Sequence, residues 1–197
     1  MRITHVEPEG KDKLLIVLDE GIVFCLYQKE THHLELEPGA ELTEARYRQI
    51  REEILIPRAR KRVMYLLEKM DRTEAQLRDK LGQGHYPEDI IEDAIAYVKK
   101  FHYVDDLRYA CNYVRGGSKT KSSRLLALEL ARKGVPRAII QQALQEEYDA
   151  EDESVKISRW LEKKHYCSEE ADRKQKQRMY QFLLRKGFRS EDILREL

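Results

Sequence analysis

The stretch Ser122-Ser123-Arg124-Leu125-Leu126-Ala127-Leu128-Glu129-Leu130-Ala131-Arg132-Lys133-Gly134-Val135-Pro136-Arg137-Ala138-Ile139-Ile140-Gln141-Gln142-Ala143-Leu144 decides how this chain folds. Leu126 and Leu130 stand one helical turn apart, as do Ile140 and Leu144, so each pair marks a helix face. Gly134 has the place of a glycine that closes a helix, and Pro136 that of a proline that opens the next. The spacing predicts helices over 122–132 and 136–147. Superposing the chain on itself at Val135 finds two more copies, anchored at Tyr86 and Phe188, 49 residues before and 53 after. Five residues ahead of the anchors stand Leu81, Leu130 and Leu183, and nine ahead Leu77, Leu126 and Met179. Five behind stand Ile91, Ile140 and Ile193, and nine behind Ile95, Leu144 and Leu197. Five columns are apolar in all three copies. Gly134 and Gly187 directly precede their anchors, and His85 has that place in the first copy.

Each copy has a further helical pattern before it. The predicted sets are 58–70, 73–81 and 87–100; then 106–115, 122–132 and 136–147; then 153–164, 169–186 and 190–197. Thr73 and Ser190 are read as N-caps. Units of this size have small cores and gain by stacking on neighbours. The expected fold is mainly α: three tandem three-helix repeats in an elongated, curved array, over 58–104, 105–149 and 150–197. Residues 1–57 read differently. Apolar runs at 14–18 and 22–27 flank Asp19-Glu20-Gly21, which predicts a β-hairpin with a three-residue connection, and 3–6 adds a strand. Thr43 caps a helix expected to stop before Pro57. This hairpin-plus-helix unit is marginal alone and is expected to pack on the helical region after it.

Composition agrees. Of 197 residues, 41% are apolar and 37% charged, too apolar for disorder and too charged for one thick core. No apolar run is long enough to span a membrane and no signal peptide is visible. Cys25, Cys111 and Cys167 are far apart and odd in number, so a reducing cytoplasm is expected. The formal charge of +1 hides an asymmetry: 7 basic and 12 acidic residues over 1–57, then 30 and 24 over 58–197. Residues 107–145 hold eight basic residues and one acid, Glu129; an acidic run of Glu146, Glu147, Asp149, Glu151, Asp152 and Glu153 comes directly after.

No catalytic constellation, cofactor loop or metal-ligand spacing emerges. His32-His33 point to opposite faces if extended. His165 and Cys167 are two ligands at most, and Asp105-Asp106 read as helix-start carboxylates. Tyr86, Tyr97, Phe101, Tyr103, Tyr109 and Tyr113 read as core or repeat-interface residues, and Trp160 as core of the third repeat. The basic groups carry the expectation of function. Arg58, Arg60, Lys61 and Arg62 open the first repeat, where they oppose a helix dipole unless an anion is near. Arg115, Lys119, Lys121 and Arg124 straddle the first link of the second repeat, with Lys133 downstream; Gly116-Gly117 reads as making that link mobile. Arg173, Lys174, Lys176 and Arg178 recur in the third. Such a stripe suits a regularly spaced polyanion or an acidic protein face.

These residues also carry a resemblance. Asp105-Asp106, Tyr109-Ala110 and Tyr113-Val114-Arg115, followed by Glu129-Leu130 and Lys133-Gly134-Val135, resemble the RecX family. Arg72-Thr73, Leu77, Lys80-Leu81, Ile91 and Ile95 extend the likeness to the first repeat. The N-terminal unit looks like the extension of RecX proteins of Gram-positive type. Ser122-Ser123 stand where a Gly-Pro pair is frequent, and His85 where glycine is usual. The resemblance implies a bacterial regulator without catalysis, cofactor or small-molecule substrate. It implies binding to the RecA protein and its filament on DNA, restraining ATP hydrolysis, filament growth and strand exchange. Weak, non-specific contact with single- or double-stranded DNA is the second reading.

Overall fold

Short apolar runs near the N-terminus build three strands, β1 (Ile3–Glu9), β2 (Lys13–Leu18) and β3 (Val23–Tyr27), in an antiparallel sheet of order β1-β2-β3. The computed structural model describes residues 1–31, 34, 36–148 and 153–197. Gly21 takes φ +78°, and the Leu18 amide donates to the Ile22 carbonyl at 2.9 Å, so Asp19-Glu20-Gly21 is the expected connection. Ile3, Ile16, Leu18, Phe24 and Leu26 are buried.

The expected helix stop before Pro57 does not occur. The helix α1 (Glu44–Ile50), capped by the Thr43 hydroxyl, passes through a π-helical turn, Arg51–Leu55, directly into α2 (Ile56–Lys69). The Ile56 amide donates to the Arg51 carbonyl, five residues back. In an α-helix the proline ring would strike the carbonyl four residues before it; the wider turn relieves that contact, and Pro57 has no amide hydrogen to satisfy. The cations after Pro57 therefore lie inside a continuous helix, and the dipole opposition expected at a helix start does not arise.

The first repeat is α2, α3 (Glu74–Gly82) and α4 (Glu88–Lys100). Thr73 and Gln76 form a reciprocal capping box on α3, as the sequence predicts for Thr73. One apolar core runs from Ile3 and Phe24 through Tyr47 and Leu55 to Leu77, Leu81, Ile95 and Val104. The N-terminal unit and first repeat are thus one compact unit, Met1–Asp105.

The second unit, Asp106–Leu197, holds the other two repeats. They are α5 (Asp106–Gly117), α6 (Ser123–Arg132) and α7 (Arg137–Glu147), then α8 (Glu153–Lys163), α9 (Arg173–Arg185) and α10 (Ser190–Glu196). The repeat columns are core columns: Leu77 and Leu126; Leu81, Leu130 and Leu183; Ile91, Ile140 and Ile193; Val135 and Phe188 are buried. Tyr86, Met179, Leu144 and Leu197 pack at the edges of the same cores. The column before the anchors is a left-handed backbone position in every repeat: φ is +54° at His85, +80° at Gly134 and +88° at Gly187.

Several local expectations are corrected. Gly116-Gly117 is no mobile link: α5 runs through both, Gly117 is buried, and a Cβ there would lie 2.5 Å from Leu126 Cδ2. The glycine lets α5 and α6 approach. Ser190 is the first residue of α10 rather than its cap, which is Arg189; its hydroxyl meets the Tyr180 hydroxyl at 2.7 Å. Phe101 and Tyr103 are exposed rather than core. Trp160 lies half-buried, edge-on to Phe182, and its indole N–H donates to the Thr120 carbonyl at 3.0 Å, joining the third repeat to the second. Beside it the Ser122 amide donates to the Lys186 carbonyl at 3.1 Å. His32-His33, the Asp149, Glu151 and Asp152 part of the acidic run, and the boundary at 149–150 lie outside the described residues.

Candidate functional site

Strand alternation and helix periodicity bring one basic cleft together in the first unit. Lys13 and Tyr27 are cross-strand partners, and Cys25 lies two residues from Tyr27 on the same face. On α2, Arg58, Lys61, Arg62 and Tyr65 have the i, i+3, i+4, i+7 spacing of one helix face. With Lys80, Gln83, Gly84 and Tyr86 they line a cleft of about 560 Å³. Arg58 is its floor. Its guanidinium pairs with Glu30 at 2.8 Å, donates to the Cys25 carbonyl, and lies 5.1 and 5.7 Å from the Tyr27 and Tyr86 ring centres. The Glu30 carboxylate also accepts from the Tyr27 amide at 2.7 Å. Lys13, Lys61, Arg62 and Lys80 have no carboxylate partner among the described residues. Arg60 turns away and grips Asp93 of α4 bidentately, at 2.7 and 2.8 Å.

In the second unit the expected basic residues divide. Arg115 pairs with Glu147, at 2.5 and 2.8 Å. Lys121 pairs with Glu129 at 2.6 Å, Tyr113 donates to the same carboxylate at 2.8 Å, and the ammonium groups of Lys121 and Lys133 lie 5.4 and 5.3 Å from the Tyr113 ring. Lys119 and Arg124 are exposed, without an acidic partner among the described residues. Lys119 joins Thr120, Arg159, Trp160 and Lys163 around a concavity of about 510 Å³. Lys186 and Lys163 lie 4.6 and 5.2 Å from the Trp160 ring. The third cluster does not form a single face. Arg173 and Lys176 line a hollow with Tyr180 and Leu194, whereas Arg178 lines another with Met179 and Phe182; Lys174 is exposed.

The ion pairs set the titration behaviour. Burial pushes the Glu129 carboxyl up, but hydrogen bonds from Lys121 and Tyr113 outweigh it and hold the group below its ordinary value. Glu74 is likewise pushed up by burial and held low overall by Lys99 and Arg78. The hydrogen bond from Arg115 lowers Glu147. Burial raises the thiols of Cys25 and Cys111, which disfavours their reactive form. Among the described residues, no three His, Cys, Asp or Glu side chains gather to hold a metal ion. No described helix is long and apolar enough to cross a membrane.

Sequence reasoning singles out Arg58, Lys61 and Arg62 but misses Lys13, Lys80, Tyr27 and Tyr65 beside them. Lys13 and Lys80 come from separate elements and meet only in the fold. The spacing of Arg58, Lys61, Arg62 and Tyr65 is the available signal.

Three consecutive three-helix repeats with exposed cations on their surfaces define a helical-repeat protein. Comparison with known proteins agrees on its kind. The family models for the first, second and third three-helix domains of RecX match residues 59–97, 105–144 and 151–197. The chain belongs to the RecX family of regulatory proteins. "Regulatory protein RecX" of Caldanaerobacter subterraneus subsp. tengcongensis is 29% identical over 199 residues, covering 100% of this chain and 98% of its own. That of Clostridium botulinum (strain Eklund 17B / Type B) is 26% identical over 196 residues, covering 98% and 92%. The crystal structure of RecX from Lactobacillus salivarius superposes with a TM-score of 0.60 at 27% identity, covering 72% of this chain and 94% of that one.

Proposed function

We propose that this chain binds the RecA recombinase and its nucleoprotein filament and restrains ATP hydrolysis, filament growth and strand exchange. It acts by stoichiometric binding, without a catalytic step or cofactor. Membership of the RecX family supports a regulatory role. The observation that carries the reading to particular residues is the pair Lys119 and Arg124, which flank the start of α6 exposed and, among the described residues, without an acidic partner. Uncompensated cations attract acidic protein surface and DNA phosphate alike, and a nucleoprotein filament offers both. Arg115 and Lys121, by contrast, each hold a carboxylate of their own repeat.

The test is RecA-dependent ATP hydrolysis on single-stranded DNA, titrated with this protein and with a Lys119→Glu/Arg124→Glu variant. The wild type inhibits near stoichiometric ratios and the variant needs at least about tenfold more protein, with helicity unchanged, as expected when two charged contacts are reversed. Equal inhibition by both would remove this surface from the mechanism. Inhibition relieved by added DNA would point instead to competition for the strand.

A further inference from the structure

The cleft of the first unit has a composition that binding to an acidic protein face does not account for. Three tyrosines are interleaved with its cations. Tyr65 is 49% exposed, with the charged groups of Arg62 and Lys69 5.8 and 5.3 Å from its ring. Tyr27 lies 5.3 Å from the Lys13 ammonium, and it flanks the Arg58 guanidinium together with Tyr86. Arg58 is already neutralised by Glu30. The remaining positive charge, on Lys13, Lys61, Arg62 and Lys80, surrounds that floor and forms no ion pair among the described residues. The Lys80 ammonium donates to the neutral Gln83 side chain at 2.9 Å. Glu9, the cross-strand partner of Lys13 on β1, is the acid nearest this charge and faces His85 at 3.5 Å, so the cations outnumber the acids.

Cations beside exposed aromatic faces are the arrangement that holds phosphate and base together: the phosphate takes the charge, and a base of any sequence stacks on a ring. A volume of about 560 Å³ is of small-ligand size, enough for a nucleotide or a bend of single strand. Part of the wall comes from β2 and β3, which lie outside the three matched RecX domains. A chain with only the helical repeats would lack Lys13 and Tyr27 and have an open, one-sided surface here.

We propose that this cleft is a nucleotide-unit site. Phosphate is held among Lys13, Lys61, Arg62 and Lys80, and a base rests against Tyr65 at the rim. The site does not depend on the RecA reading. Two sources share its chemistry, a single-stranded nucleic acid and a free nucleoside triphosphate.

The test uses the full chain without RecA. Fluorescence anisotropy follows a fluorescein-labelled oligothymidylate, and in a second arm a fluorescent ATP analogue. Each is measured for the wild type, Lys61→Glu/Lys80→Glu and Tyr65→Leu. All three side chains are exposed, so the variants should fold, and thermal melting is the control. The double variant should weaken the ligand that belongs to the site at least about tenfold. It should also flatten the salt dependence by roughly 0.7 in log–log slope for each phosphate no longer held. Tyr65→Leu should weaken it about fivefold or more while leaving the salt slope unchanged. Oligothymidylate responding in this way identifies a strand, and the ATP analogue a free nucleotide; either supports the site. Binding of neither probe, or binding indifferent to both variants, overturns it. So does a response to polyglutamate alone, which would mark an acidic-peptide groove. Failure of this proposal with RecA ATPase inhibition intact would leave the proposed function standing.

Discussion

His85, Gly134 and Gly187 occupy one repeat position and one backbone conformation, yet only two are glycine. A side chain at positive φ costs roughly 1–2 kcal/mol, partly offset by the greater freedom glycine gives the unfolded chain. His85→Gly is therefore expected to stabilise the protein by about 0.5–1 kcal/mol, read as a rise in the thermal midpoint. A fall would mean that the His85–Glu9 contact outweighs the strain. Gly187 has a second reason to be glycine. A Cβ there would lie 2.4 Å from Ser122 Oγ and 2.5 Å from Leu125 Cβ, at the joint between the second and third repeats. Gly187→Ala should cost at least about 2 kcal/mol, strain and overlap together, and an unchanged midpoint would contradict that packing. Glu129 supplies a pH test. Its carboxyl is held low in the folded state, so its contribution is present above the ordinary glutamate range and is lost as pH falls through the lowered value. Glu129→Gln should lower the midpoint at pH 7, and the gap should close as pH falls below the lowered value. A gap that persists in acid would assign the difference to packing instead.

At the scale of elements, the helical repeats are legible in the sequence because their apolar columns recur at fixed offsets and become core columns, as at Leu81, Leu130 and Leu183. The caps Thr43 and Thr73 and the helix start at Ser122 are legible for the same local reason. The π turn at Arg51–Leu55 is not. A proline ordinarily marks a boundary, and nothing local says that packing on the sheet and on α4 will keep this helix continuous. Nor are the ion pairs. Arg58 reaches Glu30 across 28 residues, Arg60 reaches Asp93 across 33, and Arg115 reaches Glu147 across 32. A cation's availability depends on such partners, so sequence reading names the basic residues without separating the neutralised from the open ones. The continuity of α1 and α2 carries its own prediction. Leu55, fully buried at the π turn, belongs to the core shared by sheet and repeat. Leu55→Ala should cost about 2–5 kcal/mol and reduce hydrogen-exchange protection in β2, β3 and α4 together. An effect confined to the strands would mean that the two parts open separately.

At the scale of the molecule, folding spends some charges on each other and leaves the rest open. The acidic excess of residues 1–57 is partly used inside the first unit, where Glu30 neutralises Arg58. In the second unit, Glu129 and Glu147 hold Lys121 and Arg115. Among the cations left exposed are Lys61, Arg62 and Lys80 in one unit, and Lys119, Arg124 and those of α9 in the other. The roles proposed for the two sets differ, a nucleotide unit for the first and the RecA filament for the second, and each can fail without the other. The decisive experiment for the regulatory role is the RecA ATPase titration with wild type and Lys119→Glu/Arg124→Glu. Near-stoichiometric inhibition by the wild type, not relieved by added single-stranded DNA and shifted at least about tenfold in the variant, is the predicted result. Absence of inhibition, or inhibition that disappears as DNA is raised, would contradict it.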